Sequence, residues 1–167
     1  MISLESAFEL VAASISRCSP RSTDMLDAVG CILAEDIRSD MDFPAFDKSL
    51  MDGFACRRTD AGNPLSIVET VRAGHLPSRS VGEMECSRIM TGAALPDGAD
   101  FVFKVEDESV LTDGKALYRG PAGDEEYVLK RATHIREGDL LPETSNEISV
   151  PTVRILASLG TPFPLIY

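Results

Sequence analysis

Apolar residues near the start of the chain recur at helical spacing. Ala7, Phe8, Leu10, Val11 and Ile15 repeat at steps of about three and four, and Ser3 stands where an N-cap would. Arg17 to Pro20 ends that helix. A short second helix is predicted from Thr23, as N-cap, to Val29, with Gly30 as its C-terminal stop. Cys31-Ile32-Leu33-Ala34-Glu35-Asp36-Ile37 then reads as a strand.

From Asp40 to about Gly123 short apolar runs alternate with Gly, Pro and Asp. The runs are Leu65–Val68, Ile89–Met90, Phe101–Val105, Val110–Leu111 and Ala116–Tyr118. Gly62-Asn63-Pro64, Pro96-Asp97-Gly98 and Thr112-Asp113-Gly114 are turn signals between them. This is the pattern of a β-rich lobe of hairpins and meanders. Val128–Leu129 and Leu140–Leu141 read as further strands. A last helix is predicted from Pro151 to Leu159, with Ile155, Leu156 and Leu159 facing the core and Gly160 as the stop. The simplest topology for this order is a lobe, 40–123, inserted into a base made of 1–39 and 124–167. The fold class is α+β, mainly β.

With 44% hydrophobic and 26% charged residues, the 167-residue chain has the balance of an ordinary soluble domain, large enough to fold without disulfide or metal. No apolar run reaches the ~20 residues of a membrane helix, and Met1-Ile2-Ser3-Leu4-Glu5 does not resemble a signal peptide, so a cytoplasmic protein with no membrane partner is expected. Cys18, Cys31, Cys56 and Cys86 stand far apart with no C-x-x-C pair, the pattern of reduced, mostly buried thiols rather than a zinc site. The net charge of −11 lacks the basic footprint of a nucleic-acid binder and disfavours a phosphorylated cofactor bound by this chain alone. The acidic clusters Glu106-Asp107-Glu108 and Asp124-Glu125-Glu126 read as solvated faces.

Two segments have no regular period. In Asp42-Phe43-Pro44-Ala45-Phe46-Asp47-Lys48-Ser49-Leu50-Met51-Asp52-Gly53-Phe54-Ala55, apolar residues sit among Ser, Asp and Gly, as in a structured loop or a polar loop at a pocket rim. Ser49 and Asp52 can bond neighbouring backbone N–H groups, and Gly53 permits a positive φ. Leu50 and Met51 are candidate anchors that leave Asp52 free to face outward. If Asp52 is instead a brace, its carboxylate accepts N–H bonds from its own turn. The second segment, Arg88 through Val102, runs from a strand into a Thr91-Gly92 turn that offers a hydroxyl and a backbone N–H to an anion or hydroxyl. No phosphate loop, H-E-x-x-H, G-x-S-x-G or paired Cys/His cluster is present, and His75 and His134 read as loop and solvated histidines.

Together the two segments resemble the MoeA/gephyrin family, the molybdopterin molybdotransferases. The family pattern P-x-F-D-x-S-x-M-D-G-[YF]-A is met by Pro44, Phe46, Asp47, Ser49, Met51, Asp52, Gly53, Phe54 and Ala55. R-I-M-T-G-A-x-x-P-x-G-A-D-x-V is met by Arg88 through Val102, and Gly138-Asp139-Leu140-Leu141 followed by Leu156-Ala157-Ser158-Leu159-Gly160 is a weaker third match. The resemblance implies an elongated base that takes part in dimerisation and carries an inserted β-rich lobe. In complete family members an α/β domain that binds molybdopterin follows, and the cleft between it and the partner subunit's lobe exchanges the adenylate of adenylylated molybdopterin for molybdate, with Mg²⁺ involved. By the same resemblance Asp52 and Thr91 are the catalytic candidates. Ser49, Gly53 and Gly92 are cofactor-binding candidates through their loop backbone, and no protein metal site is implied.

Two departures shape the expected function. The pterin-binding domain would begin where the chain ends, at Tyr167. The family's N-x-R-x-x-G-E-D motif, aligned without gaps from Gly138-Asp139, places Leu129 at its arginine and His134 at its catalytic aspartate. The chain is therefore expected to be the N-terminal region of a molybdotransferase that binds no cofactor and is not active by itself. The alternatives are a stand-alone interaction or assembly module, and a lobe supplied in trans to a separate pterin-binding partner. A homodimer is expected, weaker than in complete members, with Asp52 exposed and Thr91 on the same side of the lobe.

Overall fold

A computed structural model describes the chain except residues 1, 17, 112, 121–126 and 142–143, with backbone alone at 107–111. Its elements are α1 (Leu4–Ser14), β1 (Arg21–Ser22), β2 (Lys48–Ser49), β3 (Gly53–Cys56), β4 (Leu65–Val71), β5 (Glu85–Ile89), β6 (Phe101–Lys104), β7 (Glu108–Leu111), β8 (Lys115–Tyr118), β9 (Val128–Leu129), α2 (Val150–Ser158) and β10 (Leu165–Ile166). They form two compact units, Met1–Asp40 with Gly138–Tyr167, and Met41–Glu137.

In the first unit the Ser3 hydroxyl caps α1 by accepting the Ser6 N–H, and Ser149 caps α2 by accepting that of Thr152. A side-chain oxygen at this position satisfies a donor that the helix itself leaves unpaired. Antiparallel β1 and β10 join the unit's two chain segments. Ala28, Leu33, Ile37, Ile148, Val153, Leu156 and Ile166 form its core. In α2 the buried positions are Val153 and Leu156, one turn apart, whereas the expected Ile155 and Leu159 are only half-buried. Helix α1 buries none of its residues.

Two expectations for this unit need correction. Turns replace the helix expected over Thr23–Val29. The Asp24 carboxylate takes the Leu26 N–H, and the Thr23 and Met25 N–H groups donate to Pro164 and Pro162, so the local donors are drawn away from a helical ladder. The strand expected over 31–37 is reduced to single bridges, Ile32 to Glu147 and Leu33 to Ile166. Likewise Leu140 bridges only Arg38.

The second unit is built on a six-stranded sheet in the order β6-β3-β5-β4-β8-β7. Side chains alternate across it. Phe54, Cys56, Leu65, Cys86, Phe101, Phe103 and Ala116 pack in one cluster; Ala55, Val71, Ile89, Ala93, Val102 and Val128 form another. Aromatic rings close the first, with Phe54 over Phe103 at 5.4 Å and Tyr118 beside Phe103 at 5.3 Å. The expected hairpins and meanders are only part of the topology, because β4 and β5 pair in parallel. Parallel neighbours cannot be joined by a tight turn, and residues 72–84 make the connection. Strand β3, an inner strand of the sheet, begins inside the segment read as a loop. A small ladder, β2 with β9, attaches residues 127–129 to this unit, so the described part of 124–137 belongs with the lobe rather than the base.

Cysteine placement also differs from expectation. Cys56 and Cys86 are buried and opposite each other on β3 and β5, but Cys31 is half-buried and Cys18 exposed. Burial, then the neighbouring Cys86, pushes the Cys56 thiol up to about 12, which keeps it protonated and unreactive. The acidic cluster at 124–126 lies outside the described residues.

Candidate functional site

Asp52 sits in the chain between β2 of the small ladder and β3, an inner strand of the lobe's sheet. The Ser49 hydroxyl donates to the Met51 carbonyl at 2.6 Å and accepts its N–H at 3.2 Å, while the Leu50 N–H donates to Tyr127 at 2.9 Å. Ser49 is 1% exposed, so this hydroxyl serves the turn and faces no ligand. Leu50 is 43% exposed and does not anchor the loop as expected; the Ser49 hydroxyl and the backbone do so instead. Immediately after Asp52 the chain enters β3 so close to β6 that a Cβ at Gly53 would lie 1.9 Å from the Phe103 carbonyl oxygen. Gly53 is therefore required for close strand approach, and not for a positive φ.

The Thr91-Gly92 turn closes against this corner. The Thr91 N–H and hydroxyl both donate to Asp52 Oδ1, each at 2.7 Å. The Gly92 N–H donates to the Ser49 carbonyl at 2.8 Å, and the Ser49 N–H to the Ala93 carbonyl at 3.0 Å. The backbone donors of Ser49 and Gly92, expected to meet a cofactor, are thus spent in holding the two loops together, and Gly53 is paired within the sheet between β5 and β6. Asp52 and Thr91 are both exposed. The Thr91 N–H, then its hydroxyl, hold the Asp52 carboxyl below the ordinary range, helped by the positive charge of Arg88. Asp52 is therefore at once exposed and a brace. Its donors come from the other loop, however, and not from its own turn.

Two further carboxylates, Asp42 and Asp47, lie in the same segment. Asp47 takes the Arg131 N–H at 2.7 Å on one oxygen and the Lys130 ammonium at 3.0 Å on the other. Asp42 takes the Glu137 N–H at 2.9 Å and the Arg131 guanidinium. Phe43 and Pro44, joined by a cis peptide bond, bond the backbone of 132–135 between them. The partners are some 90 residues away, so no local pattern indicated this clamp. It holds the stretch that departs from the family motif. Leu129 is paired with Lys48 in the β2–β9 ladder, and exposed His134 has its ring 6.3 Å from that of Phe43. His75 is exposed in a loop. Two recesses of 360 Å³ flank Phe46, one beside Leu76 and Arg79 and the other beside Asp47 and Arg131; neither is lined by Asp52 or Thr91.

An exposed carboxylate with one oxygen engaged can contribute a single ligand to a cation. Magnesium takes one or two carboxylates and completes its shell with water and substrate phosphate. Asp52 fits that partial role, and no group of three or more His, Cys, Asp or Glu able to hold a metal occurs among the described residues. No helix among them is long and apolar enough to cross a membrane.

Two motif-bearing loops joined by Asp52 and Thr91, on a lobe inserted in a mixed unit, define a MoeA-type N-terminal region. The profile of that family, MoeA N-terminal region (domain I and II), matches residues 2–160, and the chain belongs to it. The molybdopterin molybdenumtransferase of Staphylococcus aureus strain Mu50 is 34% identical over 136 residues, covering 77% of this chain and 32% of that protein. That of Synechocystis is 30% identical over 165 residues, covering 96% and 42%. A solved molybdopterin biosynthesis MoeA protein from Pyrococcus horikoshii superposes with a TM-score of 0.87 at 30% identity, over 99% of this chain and 44% of that one. The chain thus spans less than half the length of these relatives.

Proposed function

We propose that this chain serves molybdenum cofactor biosynthesis as the N-terminal region of a molybdopterin molybdotransferase. Its lobe presents Asp52 to a molybdopterin-binding domain in which molybdate replaces the adenylate of adenylylated molybdopterin. The observation that carries this reading is the contact between Asp52 and Thr91, which come from two separate family motifs and meet on the exposed surface of the lobe. The relatives' name, molybdopterin molybdenumtransferase, supplies the reaction. The single carboxylate suits a shared magnesium site completed by substrate phosphate. Activity requires the pterin-binding domain, and the chain works in the cytoplasm as a homodimer.

A second reading, a non-catalytic interaction module or a lobe acting in trans, is favoured by Leu129 and His134 at the positions of the family's arginine and aspartate. One experiment separates the catalytic reading, with the lobe joined to or acting in trans on a pterin-binding region, from the non-catalytic module. In cells lacking their own molybdotransferase, a pterin-binding region is supplied alone, with this chain, and with its Asp52→Ala variant. The catalytic reading expects molybdoenzyme activity only with both parts, falling about 100-fold or more in the variant, as for loss of a positioned catalytic group. Full activity with Asp52→Ala, or from the pterin-binding region alone, overturns it.

A further inference from the structure

The Thr91 turn has the composition of an anion seat, yet the chain's own carboxylate fills it. Both donors of Thr91 go to Asp52 Oδ1 at 2.7 Å. The next two N–H groups are also spent, Gly92 on Ser49 at 2.8 Å and Ala93 on Met90 at 3.0 Å. Asp52 Oδ2 takes no hydrogen bond among the described residues, and with its proton committed to Oδ1 the Thr91 hydroxyl offers only lone pairs outward. The exposed face of the pair is therefore made of acceptors. Two charge-assisted bonds to one oxygen also fix the carboxylate's rotation, so that Oδ2 points in one direction.

We propose that Thr91 is a positioning residue that acts through Asp52, and that the pair selects a cation or hydrogen-bond donor and excludes free oxyanions. The inference rests on the functional reading above only for the identity of the natural ligand. A phosphate or molybdate approaching this turn finds no free backbone donor at 91–93 and meets a like charge at short range, where repulsion is strongest. Arg88 is exposed, its side chain makes no hydrogen bond or ion pair among the described residues, and its field falls on the same carboxylate. It balances Asp52 in place of an external anion. Removing the carboxylate releases the two Thr91 donors beside this guanidinium and turns the face into an oxyanion seat.

The test uses the whole chain and two readouts that need no pterin or partner. Carboxyl carbon NMR follows the Asp52 titration in the wild type, Thr91→Val and Thr91→Ser. Valine keeps the N–H but loses the hydroxyl, and the Asp52 midpoint is expected to move upward; serine restores it. Inorganic phosphate is then titrated while the Thr91 amide is observed. No saturable shift is expected in the wild type, and one appears in Asp52→Ala. An Asp52 midpoint that Thr91→Val leaves in place, or a phosphate response equal in wild type and Asp52→Ala, overturns the proposal. The phosphate arm does not depend on Thr91→Val folding. Both arms stand whether or not the complementation experiment succeeds.

Discussion

At the residue scale the site depends on contacts too short for any side chain to enter. Gly53 is the clearest case. The added Cβ would sit 1.9 Å from the Phe103 carbonyl oxygen, a backbone atom in a strand paired on β3 and unable to move alone. Gly53→Ala is expected to destabilise the lobe by about 3 kcal/mol, at the upper end of overpacking costs, through separation of β3 from β6. Gly92 differs in kind. Its φ of +82° is left-handed and nothing lies within 4 Å of the position a Cβ would take, so Gly92→Ala carries only backbone strain, about 1–2 kcal/mol. Denaturant melts of the two variants check the order. A Gly53→Ala midpoint equal to or above that of Gly92→Ala contradicts the close-approach argument. Since Gly53 follows Asp52 directly, its loss also displaces the carboxylate from Thr91.

At the element scale the clamp between 42–47 and 130–137 sets how the lobe responds to acid. The Glu137 N–H and the Arg131 guanidinium hold the Asp42 carboxyl below the ordinary aspartate value of 3.8. Burial pushes the Asp47 carboxyl up, but the Arg131 N–H and the Lys130 ammonium outweigh it and leave it lowered as well. A carboxyl whose value is depressed by folding contributes stability that is full above its unfolded value and is lost as pH falls through its folded one. The lobe is therefore expected to keep this contribution at neutral pH and to lose it below about pH 3.8, with Asp47→Asn flattening the acid limb of the stability curve. Urea melts from pH 6 downward check this, and an unchanged limb in Asp47→Asn sinks it. The clamp also marks what the chain made legible. Helices α1 and α2 were visible because apolar spacing, the cap Ser3, and Pro151 and Gly160 at the two ends of α2 are local signals, and most lobe strands were visible because turn signals bracket them. Strand β3 was hidden because Gly53-Phe54-Ala55-Cys56 is buried on both faces and so shows no alternation. The parallel pairing of β4 with β5 was hidden because apolar runs and turn signals do not show strand direction, and the Asp42 and Asp47 partners were hidden because they lie far away in sequence. For the site, the motifs pointed to Asp52 and Thr91, but the direction of their bond, and with it the acceptor character of the exposed face, is set by how the two loops meet in the fold.

At the scale of the whole molecule the apolar face of α1 bears on assembly. Leu4, Phe8 and Val11 follow one another at steps of four and three, which places them on one stripe of the helix, and Ile15 is the extended residue just beyond its C-terminal end; the four are 71%, 68%, 59% and 71% exposed. Full burial of one such side chain is worth about 1.5–3 kcal/mol. Together they are enough, in two copies, to offset an association cost of about 4–15 kcal/mol. A two-fold pairing of α1 with its counterpart is self-complementary, since the same stripe meets itself. The expected outcome is a homodimer in solution, with a mass near twice the 18.0 kDa of the chain by light scattering. Phe8→Asp places a charge on this stripe without touching the core, because α1 buries none of its own residues. The variant is therefore expected to become monomeric while its unfolding free energy from urea melts, measured at a concentration where the wild type is also monomeric, stays within about 0.5 kcal/mol of the parent. A wild-type chain that remains monomeric at high concentration, or a Phe8→Asp dimer of undiminished affinity, removes α1 as the site of association.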